Sequence, residues 1–141
     1  MTLVVDASCV VAALTASNAA ESAGTWARAR LGSGPVVAPH LLPVEVTHVL
    51  RRQVAAGRLH GPAAAAALED LADLGIELYP FEPFADRVWQ LRETVSAYDA
   101  WYVALAEAHD APLATLDGRL AASPGPRCEF ARPPGPARHA Q

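Results

Sequence analysis

The chain has 141 residues, 52% of them hydrophobic and 18% charged, with 11 basic against 15 acidic side chains and a net charge of −4. That length suits one ordinary domain of about 100–150 residues with its own core, and the composition excludes a disordered chain, whose mark is low hydrophobicity with high net charge. The acidic balance excludes a general nucleic-acid coat. Every basic residue is arginine, and with the abundant alanine this reads as compositional bias.

The β-branched run Thr2–Val5 predicts a short buried strand that ends at Asp6. A helix is expected from Ser8 through Val10, Val11 and Leu14, then a break at Ser17-Asn18, then a helix from Ala19 to about Leu31. Gly32-Ser33-Gly34-Pro35 ends that helix, and Val36–Ala38 reads as a second strand. Pro43 suits the start of a helix over Val44–Ala56, because its fixed φ and missing N–H cost nothing there. Leu42, Val46, Val49 and Leu50 give that helix an apolar face, and Gly57 closes it. An alanine-rich helix is predicted from Pro62 to Leu74, stopped by Gly75, with a strand at Ile76–Leu78. Val88, Leu91 and Val95 predict a helix over Phe84–Val95, and a further one covers Tyr98–Ala108. Leu113–Leu116 is a strand candidate running into Asp117, with a short helix at Gly118–Ala122. Prolines then break up the chain, leaving Cys128–Ala131 as a last strand. Residues 1–132 are expected to form the domain and 133–141 a loose Pro-rich tail.

Short apolar runs alternating with helices predict an α/β domain with a mostly parallel sheet. No apolar run approaches the about 18–20 residues of a membrane span. The first residues lack a basic segment and are interrupted by Asp6, so no secretory signal is expected. Cys9 and Cys128 lie far apart and read as buried thiols of a reducing cytoplasm, not as a disulfide framework.

Functional groups of parallel sheets gather beyond the carboxyl ends of the strands, which points to Asp6 and Asp117. Glu45 and Asp99 are equally out of place as surface charges, each in the first turn of an apolar helix. Asp99 shares a helical face with Tyr102, Val103 and Ala106. Converging carboxylates repel and raise one another's pKa values, and a divalent cation resolves the conflict. An oxygen-only set suits Mg²⁺ or Mn²⁺. Each acid alone has a plainer account, as a helix cap, a turn residue or a partner of the helix dipole. It is the set of four that favours a metal site.

Val4-Val5-Asp6-Ala7-Ser8, Pro43-Val44-Glu45-Val46 with Leu50-Arg51-Arg52, Ala97-Tyr98-Asp99-Ala100 and Leu113-Ala114-Thr115-Leu116-Asp117-Gly118-Arg119-Leu120 occur in this order. Together they resemble a PIN-domain ribonuclease, specifically the VapC-type toxins of toxin–antitoxin pairs. The resemblance implies a three-layer α/β/α sandwich with a central mostly parallel sheet. It implies that Asp6, Glu45, Asp99 and Asp117 hold Mg²⁺ or Mn²⁺ for RNA hydrolysis, with Ser8 and Thr115 supporting them. It also implies a homodimer and a cognate antitoxin.

Arg119, close after Asp117, is the better candidate for RNA contact, with Arg51 and Arg52 behind it. His40, His48, His60, His109 and His139 show no zinc-ligand spacing. The competing reading is a non-catalytic α/β regulatory or binding module whose acids serve as helix caps. A phosphatase-like hydrolase ranks lower, because neither a DxDx[TV] nucleophile nor a GxxxxGK[ST] phosphate loop occurs.

Overall fold

Val4 and Val5 are completely buried at the centre of a sheet. In the computed structural model, which describes residues 1–16 and 22–135, they belong to strand β1, Leu3–Val5. The chain continues through helix α1 (Ala7–Thr15), α2 (Ala23–Leu31), β2 (Val36–Pro39), α3 (Leu42–Ala55) and α4 (Gly61–Asp73). Then come β3 (Glu77–Tyr79), a 3₁₀ turn at Glu82–Phe84, α5 (Ala85–Gln90), α6 (Ala97–Ala108), β4 (Leu113–Ala114), α7 (Gly118–Ala122) and β5 (Phe130–Ala131).

The strands form one parallel sheet in the order β3-β2-β1-β4-β5. Val4 pairs with Val37 on one side and Leu113 on the other. From β1 the chain steps outward through β2 to β3, then crosses back to β4 on the opposite flank. The strand order therefore reverses between β1 and β4, the place where open parallel sheets leave a crevice at their carboxyl ends. Helices complete the α/β/α sandwich: α6 lies along β1, β2 and β4 with α5 beside it, while α1 packs on α2, α3 and α4. Val10, Leu42, Val46, Leu50, Val103 and Leu105 are buried between these layers. Among the described residues, no helix is long and apolar enough to cross a membrane.

The expected elements are present, with boundaries moved for identifiable reasons. Ser22 caps α2 by accepting the Thr25 N–H, so that helix begins at Ala23; the expected break at Ser17-Asn18 and start at Ala19 lie outside the described residues. The helix expected over Phe84–Val95 stops at Gln90, and three-residue turns follow, with Arg92 N–H on Trp89 O and Thr94 N–H on Leu91 O. Leu91 and Val95 are nevertheless buried, so their spacing reports core contact, which such turns satisfy as well as a helix does. The strand expected at Leu113–Leu116 ends at Ala114. There the Thr115 hydroxyl accepts the Asp117 N–H at 2.9 Å and turns the backbone away. Likewise only Phe130–Ala131 of Cys128–Ala131 joins the sheet, and β3 sits one residue later than predicted. Gly75 ends α4 with φ of 66°, a conformation open to glycine without strain. Residues 132–135 carry no regular element; the rest of the expected tail lies outside the described residues.

Candidate active site

Asp6 follows β1 directly and is 7% exposed. It caps α1: its Oδ1 accepts the Cys9 N–H at 3.1 Å and the Ser8 hydroxyl at 2.6 Å. Its Oδ2 accepts the Thr115 hydroxyl from the far side of the β1–β4 pair. Each of those hydroxyls also accepts a backbone N–H, Ser8 from Leu116 at 3.0 Å and Thr115 from Asp117 at 2.9 Å. A hydroxyl has a single proton to give. Both protons go to Asp6, and the free lone pairs order the loop that carries Asp117. Ser8 and Thr115 therefore both stand against Asp6.

Asp117 is exposed and caps α7, its Oδ1 accepting the Arg119 and Leu120 N–H groups at 2.9 and 3.3 Å. Asp99 lies half-buried in the first turn of α6, whose cap is Ser96. Glu45 lies half-buried in the first turn of α3, which has no side-chain cap and starts beside Pro43.

The four acids share one electrostatic field. Burial pushes the Asp6 carboxyl above its ordinary value, against the hydrogen bonds of Ser8, Thr115 and Cys9, and the Asp117 charge adds to the rise. Burial likewise raises Asp99, helped by Asp117 and Asp6 and opposed by Ser96 and Arg119. Glu45 is raised by burial and by Asp99 and Asp6, with Tyr102 and His48 acting the other way. Repulsion of this kind, weakly compensated, is what a divalent cation relieves.

Two further features match an oxygen-donor cation site. Among the described residues, Glu45 Oε1 is buried without a hydrogen-bond partner, and so is the hydroxyl of Tyr102, which faces Glu45 without closing a bond of ordinary geometry. Asp6 Oδ2 has accepted one bond and Asp117 Oδ2 none, so acceptor positions remain, each carboxylate oxygen taking about two. Among the described residues, no three His, Cys, Asp or Glu side chains are drawn into a ready-made cage.

Arg119 is exposed on α7, and its charge reaches Asp99. Arg51 and Arg52 lie exposed near the far end of α3. Sequence reasoning passed over Arg132, whose guanidinium covers Gly118 and reaches the Leu116 carbonyl at 3.5 Å. Only the tertiary return of β5 beside β4 brings it there. Burial pushes the Cys9 thiol up to about 12 and the Cys128 thiol up to about 11, so both remain protonated and unreactive.

Fold and site together define an α/β domain that sets Asp6 and Asp117 just beyond the carboxyl ends of adjacent parallel strands, where the strand order reverses. The chain belongs to the PIN-domain family, whose profile, described as PIN domain, matches residues 3–125. Within it the chain groups with the VapC proteins. It is 46% identical over 128 residues to Ribonuclease VapC1 of Mycobacterium tuberculosis, a match covering 90% of this chain and 94% of that relative. Ribonuclease VapC9 of the same organism is 36% identical over 126 residues, covering 89% and 94%. Among solved structures, PAE2754 from Pyrobaculum aerophilum superposes with a TM-score of 0.69 at 21% identity, over 94% of this chain and 83% of that one. Mycobacterium tuberculosis VapC20, titled a sarcin–ricin loop cleaving toxin, does so at 0.63 with 20% identity, over 85% and 93%. These two structures share the fold.

Proposed function

We propose that this protein is a Mg²⁺- or Mn²⁺-dependent endoribonuclease, the toxin of a toxin–antitoxin pair, hydrolysing RNA phosphodiester bonds through Asp6, Glu45, Asp99 and Asp117. One observation supports the reading: Asp6, Glu45 and Asp99, carried on separate elements, are each raised above their ordinary values by burial and by neighbouring carboxylate charges, Asp117 adding its charge to Asp6 and Asp99. Similarity to VapC ribonucleases over most of the chain supports the nuclease class.

Asp6, Asp99 and Asp117 are the direct cation ligands in this reading, and Glu45 holds a second ion or orients a water. When bound, a divalent cation supplies Lewis acidity toward a phosphoryl oxygen and activates water for in-line attack. Ser8 and Thr115 orient Asp6 and work against the rise that burial imposes on it, and they tie the Asp117 loop to it. Arg119 and Arg132, at the rim, meet the phosphates flanking the scissile bond; Arg51 and Arg52 extend that contact along α3. A homodimer, silenced by a cognate antitoxin in the cytoplasm, completes the proposal.

The competing reading, a binding module with acids as caps, accounts for two of the four. Asp6 and Asp117 do cap α1 and α7. Asp99 does not cap α6, since Ser96 does, and Glu45 sits inside a helix that has no side-chain cap. The deciding experiment is cleavage of a labelled small-RNA pool by antitoxin-free protein in Mn²⁺, Mg²⁺ or EDTA, beside Asp99→Asn. Discrete metal-dependent products missing from the variant are expected. Equal cleavage by both proteins would trace the activity to a contaminant.

A further inference from the structure

The Tyr102 hydroxyl is a polar group at the site to which the proposed reaction gives no task. Tyr102 follows Asp99 by three positions on α6, so both side chains leave one face of the helix. The residue is 1% exposed, and its hydroxyl lacks a hydrogen-bond partner among the described residues. Burying an unpaired hydroxyl is unfavourable, and phenylalanine would fill the same space without it. Packing alone therefore gives no reason for the oxygen.

Its neighbours supply one. The hydroxyl feels the charges of Glu45, Asp6 and Asp99, Glu45 most strongly. A tyrosine O–H is a donor, and ionised carboxylates only accept. Asp6 already has Ser8, Thr115 and the Cys9 N–H, Asp99 has Ser96, and Asp117 has the Arg119 and Leu120 N–H groups. Glu45 has no serine, threonine or backbone donor on its carboxylate among the described contacts, and its buried Oε1 is unpaired. Tyr102 is the donor that faces it.

We propose that Tyr102 is a positioning residue for Glu45, its hydroxyl donating to one carboxylate oxygen and thereby leaving the other for a divalent cation or its water. This rests on the metal-dependent reading above. Partners that hydrogen-bond a ligating carboxylate orient it and hold its charge, and losing one costs about 10–100-fold in metal affinity or activity.

The test compares wild type, Tyr102→Phe, Glu45→Gln and the double variant, each as the full chain. Mn²⁺ binding is followed by the electron paramagnetic resonance of free Mn²⁺, and thermal unfolding is followed in EDTA. Tyr102→Phe is expected to melt at or above the wild-type temperature in EDTA and to bind Mn²⁺ about 10–100-fold more weakly. The double variant is expected to bind no more weakly than Glu45→Gln alone, because Tyr102 acts through Glu45. Unchanged Mn²⁺ affinity in Tyr102→Phe, or losses that add in the double variant, would overturn the proposal. Wild-type protein that binds no Mn²⁺ and cleaves RNA equally well in EDTA would overturn the metal-dependent reading beneath it.

Discussion

The Asp99 carboxyl is raised from its ordinary value by burial and by the charges of Asp117 and Asp6. A group raised on folding contributes its full stability below the unfolded value, about pH 4, and that contribution is lost as pH climbs through the folded one. In EDTA, Asp99→Asn should therefore gain melting temperature relative to wild type between about pH 4 and pH 7. With Mn²⁺ at a hundred times its dissociation constant, wild type should gain about 2.7 kcal/mol, and the variant much less. RNA cleavage by Asp99→Asn should fall at least about 100-fold with the fold retained. Scanning calorimetry across pH, with and without Mn²⁺, reads the stability part; a pH-independent difference would deny that Asp99 is strained by charge. Asp6 and Asp117 stand out in the sequence because an apolar run that stops at a carboxylate is conspicuous, and Glu45 and Asp99 because each falls in the first turn of an apolar helix. The Ser8 and Thr115 contacts followed from family resemblance. The meeting of Glu45 with Tyr102 had no local signal, since it joins α3 to α6 across 57 positions of chain only when the sheet assembles them.

Helices are placed here by close contacts as well as by apolar stripes. A Cβ at Gly24 would stand 2.1 Å from the Ala16 Cβ and 2.6 Å from the Ala12 carbonyl, so α1 and α2 touch at a point only glycine permits. Gly24→Val should cost about 1–3 kcal/mol through overpacking, read as a shift in the urea midpoint. On the other side Arg87 grips Glu107 with two hydrogen bonds of 2.7 and 3.1 Å, and the Arg127 N–H adds a third at 2.8 Å. Burial alone would raise the Glu107 carboxyl, but these donors outweigh it and hold it below its ordinary value. The sign is opposite to that of Asp99: this contribution is present above the unfolded carboxylate value and lost as pH falls through the folded one. Glu107→Gln should cost about 1.5–3 kcal/mol at neutral pH, and denaturation at low pH should show the gap closing. Neither contact shows in hydrophobic periodicity. That periodicity located the helices while misjudging where α5 ends, because Leu91 and Val95 reach the core from turns and Ser96 must be extended to cap α6.

At the scale of the whole molecule, the last strand completes the surroundings of Asp6, the residue that follows the first. Asp6 receives the Thr115 hydroxyl, and the Thr115 N–H is bonded to Ala131 O at 3.1 Å. Leu113 and Ala114 pair with Phe130 and Ala131, so β5 holds the end of β4 in the register that presents Thr115 and Asp117 to β1. A chain ending at Arg127 would leave the β4 backbone unpaired on that edge, with the Thr115 N–H lacking its acceptor. It should bind Mn²⁺ poorly and unfold at lower urea even though all four acids remain. A chain ending at Arg132 keeps β5 and the guanidinium over Gly118. It should unfold within about 0.5 kcal/mol of the full chain and cleave RNA equally well. Measuring urea unfolding and Mn²⁺ binding on both truncations separates strand from tail. If the longer truncation keeps full Mn²⁺ affinity, the β1–β4 pair positions the acids by itself; if the shorter one loses it, residues 133–141 belong to the working domain.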